Sequence, residues 1–179
     1  MFEECTKVDA LVEIGAARAG VVGLDLAGGP TPSHSFGMNA YAPAFMRAKD
    51  KGLGRTVHAG EGRPAGEIAD AIELLGAQRI GHGLTLLSDW EVLDLVLERG
   101  VTIEACPTSN VHTGCIDSTL EHPIARWLAY GVDVCVNTDN TLLSDTNSIR
   151  EHALVAQIEG TEPYMAKVIA SGHAAAFRR

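Results

Sequence analysis

What most constrains this chain is an alternation of short, β-rich apolar runs with helical patterns, each run ending near a polar residue. Residues 21–26 (VVGLDL) read as the first strand. A loop of Gly, Pro, Ser and His follows over 27–37, then a helical stretch over 38–51. Residues 55–59 (RTVHA) read as the second strand. Pro64 then opens a helix with Ile68, Ile72 and Leu75 on one face, and Gly76 closes it. Residues 79–81 make a very short third strand. Ser88 and Glu91 have capping-box spacing for the next helix, which Gly100 stops. Residues 101–105 are the fourth strand. His122-Pro123 opens another helix, ended by Gly131, and residues 132–137 (VDVCVN) are the fifth strand. Helices are expected near 144–159 and 162–176.

The strands show almost no polar alternation, which predicts burial on both faces, and helical crossovers predict a parallel α/β sheet. Polar residues gather at the C-terminal strand ends: Asp25, His58, His82, Asn110 and Asp139. Barrels and open parallel sheets both place chemistry on that edge. A closed eight-stranded barrel takes about 250 residues. Five strands in 179 residues are therefore either an open sheet or part of a barrel. No linker or low-complexity tract divides the chain, so 1–179 reads as one domain.

Charge and composition exclude several classes. Asp plus Glu number 23 against 14 Lys plus Arg, for a net charge of -9, which argues against nucleic-acid binding. No apolar run reaches the ~20 residues a bilayer requires. The N-terminus lacks a basic segment followed by an apolar one, so no signal peptide is expected. Cys5, Cys106, Cys115 and Cys135 include no C-x-x-C pair, which predicts reduced thiols and a cytoplasmic setting. The phosphate loop, nucleophile elbow, H-E-x-x-H helix and G-x-G-x-x-G fingerprint are all absent.

What remains is the set of strand-end polar residues. His58 is followed by Ala59, Gly60 and Glu61, and His82 lies between Gly81 and Gly83. Asp139 follows Asn137-Thr138. Neutral imidazole with carboxylate suits a zinc ion, and a neighbouring carboxyl and imidazole can move protons. Each residue alone also has an ordinary reading: a hydrogen-bonded histidine, a solvated Glu61, a turn-forming Asp139. Their joint placement on successive strand ends is what favours chemistry. His34, His112, His122, His152 and His173 read as structural, and Cys106 and Cys115 as packing residues.

Five segments together resemble the adenosine deaminase family of zinc-dependent amidohydrolases. They are Asp25-Leu26-Ala27-Gly28, Val57-His58-Ala59-Gly60-Glu61, Arg79-Ile80-Gly81-His82-Gly83, Cys106-Pro107-Thr108-Ser109-Asn110 and Asn137-Thr138-Asp139. The resemblance implies strands four to eight of a TIM (β/α)8 barrel, with one Zn2+ at the C-terminal strand ends. By that likeness His58 and Asp139 are metal ligands, and Asp139 also orients the attacking water. Glu61 protonates the purine ring nitrogen, and His82 steadies the hydroxide and the developing oxyanion. Gly28 offers its backbone to the purine. The implied reaction converts adenosine to inosine and releases ammonia.

The sequence departs from the family pattern in three places. Asn140 stands where many members carry a second Asp that contacts the purine, which leaves adenosine, adenine or another aminopurine open as substrate. Gly29-Pro30 stands where an acidic pair is common. The family's H-x-H, which supplies two further zinc ligands from the first barrel strand, does not occur. The chain is therefore expected to be marginally stable and inactive alone, with self-association possible through the open barrel edge. The rival expectations are a non-catalytic remnant or interaction module, and a plain α/β domain with structural histidines.

Overall fold

A computed structural model of the chain describes residue 1 and residues 4–178. In chain order the elements are α1 (Cys5–Ala17), β1 (Gly23–Leu26), α2 (Ala42–Asp50), β2 (Gly54–Ala59) and α3 (Gly66–Leu75). Then come β3 (Arg79–His82), α4 (Trp90–Arg99), β4 (Thr102–Ala105), α5 (Pro107–His112) and α6 (Ile124–Ala129). The last are β5 (Val134–Val136), α7 (Thr141–Ser144), α8 (Ser148–Val155) and α9 (Met165–Ala175). The side chain of Cys5 lies outside the described residues.

The sheet runs β1-β2-β3-β4-β5, and each neighbouring pair is parallel. A doubly wound sheet reverses its strand order at a switch point. This sheet never reverses, so its five strands form a continuous stretch of barrel wall. The architecture is α/β, a partial (β/α)8 barrel.

The strands are largely buried on both faces as expected, but parity shows that the two faces differ in polarity. Cα partners in a parallel ladder share a face, and side chains alternate along each strand. Leu26, Val57, Ile80, Ile103 and Val134 fall on one face and join the main hydrophobic core beneath the helices. Asp25, Thr56, His58, Arg79, Thr102 and Glu104 fall on the other. The strands are therefore polar on the barrel-inner face. The period is hidden in the sequence because the inner face also carries Gly23, Gly81 and Cys135, which look apolar in a run this short.

Charges on the inner face are paired. Arg79 Nε lies 2.7 Å from Glu104 Oε1, and Thr56 Oγ1 donates to Glu104 Oε2 at 2.9 Å. A buried carboxylate is tolerable only with such partners. Below them, the end of α9 and the residues after it border a cavity of about 580 Å³ at the floor. Arg79 donates to the Ala175 carbonyl at 3.0 Å, and its guanidinium stacks 3.8 Å from the centre of the Phe177 ring. The Phe177 ring rests on the start of β2, where a Cβ at Gly54 would come within 2.2 Å of it. A side chain is excluded there.

Helix ends follow local chemistry. Gly76 and Gly100 end α3 and α4 in the left-handed region, with φ of 61° and 60°, as expected from their positions. The cap of α4 is Asp89, not Ser88. Asp89 accepts from the Glu91 and Val92 amides at 3.0 and 3.4 Å, while Ser88 Oγ donates back to the Thr85 carbonyl. A carboxylate also interacts favourably with the positive end of the helix dipole. The helix expected over 144–159 is the shorter α8, because Asn147 caps its start by accepting from Arg150 N at 3.0 Å, and the four-residue α7 precedes it.

Two helices besides the short α7 escaped the sequence reading. In α1, Val8, Val12 and Ala16 recur at four-residue spacing and pack with Ala44, Ala48 and Leu53 in a second small core. Two ion pairs, Asp9–Arg47 at 2.7 Å and Glu13–Lys51 at 2.9 Å, align α1 with α2. The other is α5, which starts directly after β4 with Pro107 in its first turn. No helix is long and apolar enough to cross a membrane among the described residues. Cys106, Cys115 and Cys135 are free thiols.

Candidate active site

The C-terminal ends of β1 to β5 surround a cavity of about 300 Å³. Asp25, His58, His82, Glu104, Cys106 and Asp139 are among its lining residues. Strand parity delivers Asp25 and His58 to this face side by side. His58 Nδ1 lies 3.0 Å from Asp25 Oδ1. A carboxylate on one imidazole nitrogen orients the ring and leaves Nε2 as the nitrogen suited to a metal. Burial pulls the His58 pKa down, but the hydrogen bond and charge of Asp25, helped by Asp139 and Glu61, outweigh it and raise the value.

His82 reaches the site by breaking parity. It pairs with Ala59 and by count belongs to the helix-covered face. Its φ of 67° ends the strand in the left-handed region, and its ring meets the His58 ring at 4.9 Å between centroids. Non-glycine residues adopt that backbone only where the surroundings enforce it. The ring is 1% exposed, and Asn110 Nδ2 sits 2.9 Å from its Nδ1. Burial chiefly, then the neighbouring His58, lowers the His82 pKa to about 4, so it is neutral at pH 7.

Glu61 lies in the loop after β2 and is 5% exposed. Its Oε2 is 3.7 Å from His82 Nε2. Burial is the main cause that raises its pKa, with Asp139 adding to it and His58 and Thr113 opposing. A raised carboxyl pKa favours a proton held near neutral pH. Asp139 also has a positive φ, 53°, and accepts a hydrogen bond from Ser109 Oγ at 2.6 Å.

Gly28 lines a small adjoining space with His58, Glu61 and Arg63. A Cβ there would come within 2.7 Å of His34 Nε2, so the position admits no side chain. Arg63 ties this loop to the one bearing Glu61. Its Nη1 donates to the Thr31 and Pro32 carbonyls at 2.8 and 3.0 Å, and it pairs with Glu67 at 2.5 Å. Asn140 is the one expected residue that these cavities leave out. Its Oδ1 accepts from Leu142 N and Leu143 N at 3.1 and 3.0 Å, capping α7.

The structure thus brings His58, Glu61, His82 and Asp139 together, with Gly28 beside them. The sequence reading gave no role to Asp25, Ser109, Asn110 or Glu104, although Asp25 and Asn110 stood among its strand-end polar residues. A signal existed for each. Asp25 ends a strand, Ser109 and Asn110 follow a strand directly, and Glu104 is a charge inside an apolar run. Asn110 does not itself end a strand as expected; it lies within α5 and is fully buried.

Among the described residues, no three His, Cys, Asp or Glu side chains cluster as a metal site. His58 and Asp139 each have a supporting partner, Asp25 and Ser109, as ligands require. They supply two donors of a four-ligand set. The residues present fit half of a zinc site and do not close one.

Comparison with known proteins follows from this geometry. The family model described as Adenosine deaminase matches residues 3–177. An adenosine deaminase of Serratia proteamaculans is 37% identical over 162 residues, covering 90% of this chain and 48% of that protein. One from Clostridium kluyveri is 43% identical over 132 residues, covering 74% of this chain and 37% of that protein. In structure, the chain is similar to an adenine deaminase from Arthrobacter aurescens. The TM-score is 0.86 at 27% identity, covering 99% of this chain and 54% of that one. The chain spans about half the length, or less, of the relatives it matches.

Proposed function

The chain belongs to the adenosine deaminase family, and from that premise we propose that it carries one half of a hydrolytic purine deaminase centre. The observation that carries this reading is the convergence of His58, His82 and Asp139 around one cavity at the C-terminal edge of the parallel sheet, with Glu61 3.7 Å from His82 beside it.

His58 through Nε2 and Asp139 through its carboxylate would hold Zn2+, together with two ligands from elsewhere. Zinc supplies a bound water of pKa near 7 and hence a hydroxide at neutral pH. The remaining chemistry falls to the chain's own groups. Glu61, whose pKa burial raises, gives a proton to the ring nitrogen beside the carbon that bears the amino group. His82, neutral and facing Glu61, hydrogen-bonds the oxygen that adds to the ring. Gly28 lets the purine edge approach the backbone. Asp25 and Ser109 hold the two metal-binding side chains in orientation.

Adenosine is the substrate favoured by the curated relatives, and adenine is the alternative raised by the similar solved structure. Asn140 bears on this choice less directly than a purine-facing residue would, because its carbonyl is spent on the α7 cap. With only half of the ligand set, this chain alone should bind zinc weakly and turn over neither substrate.

The test is turnover of adenosine and adenine, side by side, with Zn2+ present. The chain alone should be inactive. The chain completed by a family N-terminal half bearing H-x-H should release ammonia, and chelation or His58→Ala should abolish it. Activity that survives His58→Ala would sink the proposal.

A further inference from the structure

The proposed chemistry gives Asn110 no task, yet it is fully buried against the site. Its Nδ2 faces His82 Nδ1 at 2.9 Å, and its Oδ1 is buried with no hydrogen-bond partner. Its backbone is pinned as well. The Asn110 amide donates to the Cys106 carbonyl at 2.9 Å, and its own carbonyl accepts from Cys115 N at 2.9 Å and Ile116 N at 3.2 Å. A residue held this firmly has one side-chain partner, the His82 ring.

We propose that Asn110 is a positioning residue that holds His82 as the Nε2–H tautomer, so that the ring presents a donor toward Glu61 and the cavity. The value of that tautomer for catalysis rests on the deaminase reading; the tautomer itself does not.

A neutral imidazole has one N–H and one lone pair, and the partner of one nitrogen decides what the other can do. The Asn110 amide can meet Nδ1 in two ways. With its NH2 donating, Nδ1 accepts and the proton resides on Nε2. With the amide turned, Oδ1 accepts from Nδ1–H, and the NH2 is left buried with nothing to donate to. Orphaned buried N–H groups are rarer and costlier than under-used carbonyl oxygens. The unpartnered Oδ1 is therefore the smaller of two penalties, and the NH2-to-Nδ1 arrangement wins. Nε2, 3.7 Å from Glu61 Oε2, then carries the hydrogen. A wrong tautomer in this position would present a lone pair where an oxygen has to be stabilised.

Nitrogen-15 spectroscopy of the histidine rings reads this directly on the metal-free chain at pH 8, where a free imidazole is neutral. His82 should show protonated Nε2 and unprotonated Nδ1. Asn110→Asp, whose carboxylate can only accept, should exchange the two signals. Circular dichroism checks that the variant is folded. If Asn110→Asp does not fold, the wild-type spectrum decides alone. A wild-type His82 protonated on Nδ1 overturns the proposal, and so does a folded Asn110→Asp chain with an unchanged pattern. Neither outcome involves zinc or turnover, so a failure here is distinct from a failure of the deaminase reading.

Discussion

The two ends of the same sheet solve opposite problems. At the floor, the strands begin with Gly23 and Gly54, and Phe177 lies flat on their backbones under the guanidinium of Arg79. Arg79 there donates to the Ala175 carbonyl and so ties the wall to the end of α9. At the top, His82 and Asp139 occupy left-handed backbone, and Glu61 and His82 are buried at a cost in their ionised forms. Left-handed backbone and buried ionisable side chains mark the top, while the floor borders a cavity of about 580 Å³ and is held by the contacts of Arg79 with Ala175 and Phe177. The floor should therefore answer to mutation in stability, and the top in chemistry.

The largest expected effect is at the top. In a barrel-completed protein, Glu61→Gln should lower turnover by about 10² to 10⁴, the usual worth of a positioned proton donor. Zinc content and melting temperature should stay near wild type. A variant that retains most of its turnover would remove Glu61 from the mechanism and blur the contrast between the ends.

The floor comes next. Gly54→Val places carbon on the Phe177 ring, and overpacking of this kind costs about 1 to 3 kcal/mol. At this chain length each kcal/mol shifts the melting temperature by roughly 2 to 4 °C. The nitrogen-15 pattern of His82 should not change. If it did, the two ends would be one coupled unit.

Acid sharpens the comparison in another way. Burial lowers His82 to about 4 and His122, in the wall beside Trp127, to about 3. Both lie below the unfolded value near 6.5, so the unfolded chain binds more protons. Stability is then complete above pH 6.5 and is lost as pH falls toward 4, by about 1.4 kcal/mol per pH unit for each ring. Urea midpoints at pH 7 and pH 5 measure this. His58, Glu61 and Glu104, whose values are raised, oppose the two rings, so His122→Phe should flatten the slope, and an unaltered slope would count against burial of His122 as a cause.

The smallest effect belongs to neither end. Asp89→Ala removes the α4 cap and should cost about 1 kcal/mol in chemical denaturation. Ser88→Ala should cost less, since Ser88 donates only within its own turn.

Much of this layout was legible in the sequence, for local reasons. Gly76 and Gly100 mark helix ends because the backbone there must be left-handed. Strand ends stood out because His58 and Asp139 interrupt apolar runs. What could not be read depends on the third dimension. Glycine and cysteine at inner positions masked the polar face. The left-handed turn at His82 has no signal in a residue with a side chain. The cap at Asp89 rather than Ser88 turns on a single residue of register. Asn140 was assigned to substrate by resemblance, and in the structure a four-residue helix uses its carbonyl.

The order of the strands also bears on how the chain assembles. Every strand pairs with its immediate predecessor, so each ladder closes only one crossover. Loop-closure entropy rises slowly with length, and a wall made of such closures never waits for a distant partner. As the chain leaves the ribosome, β2 can dock on β1 while β3 is still being synthesised. Growth by addition at one edge makes each strand-helix unit a separable module.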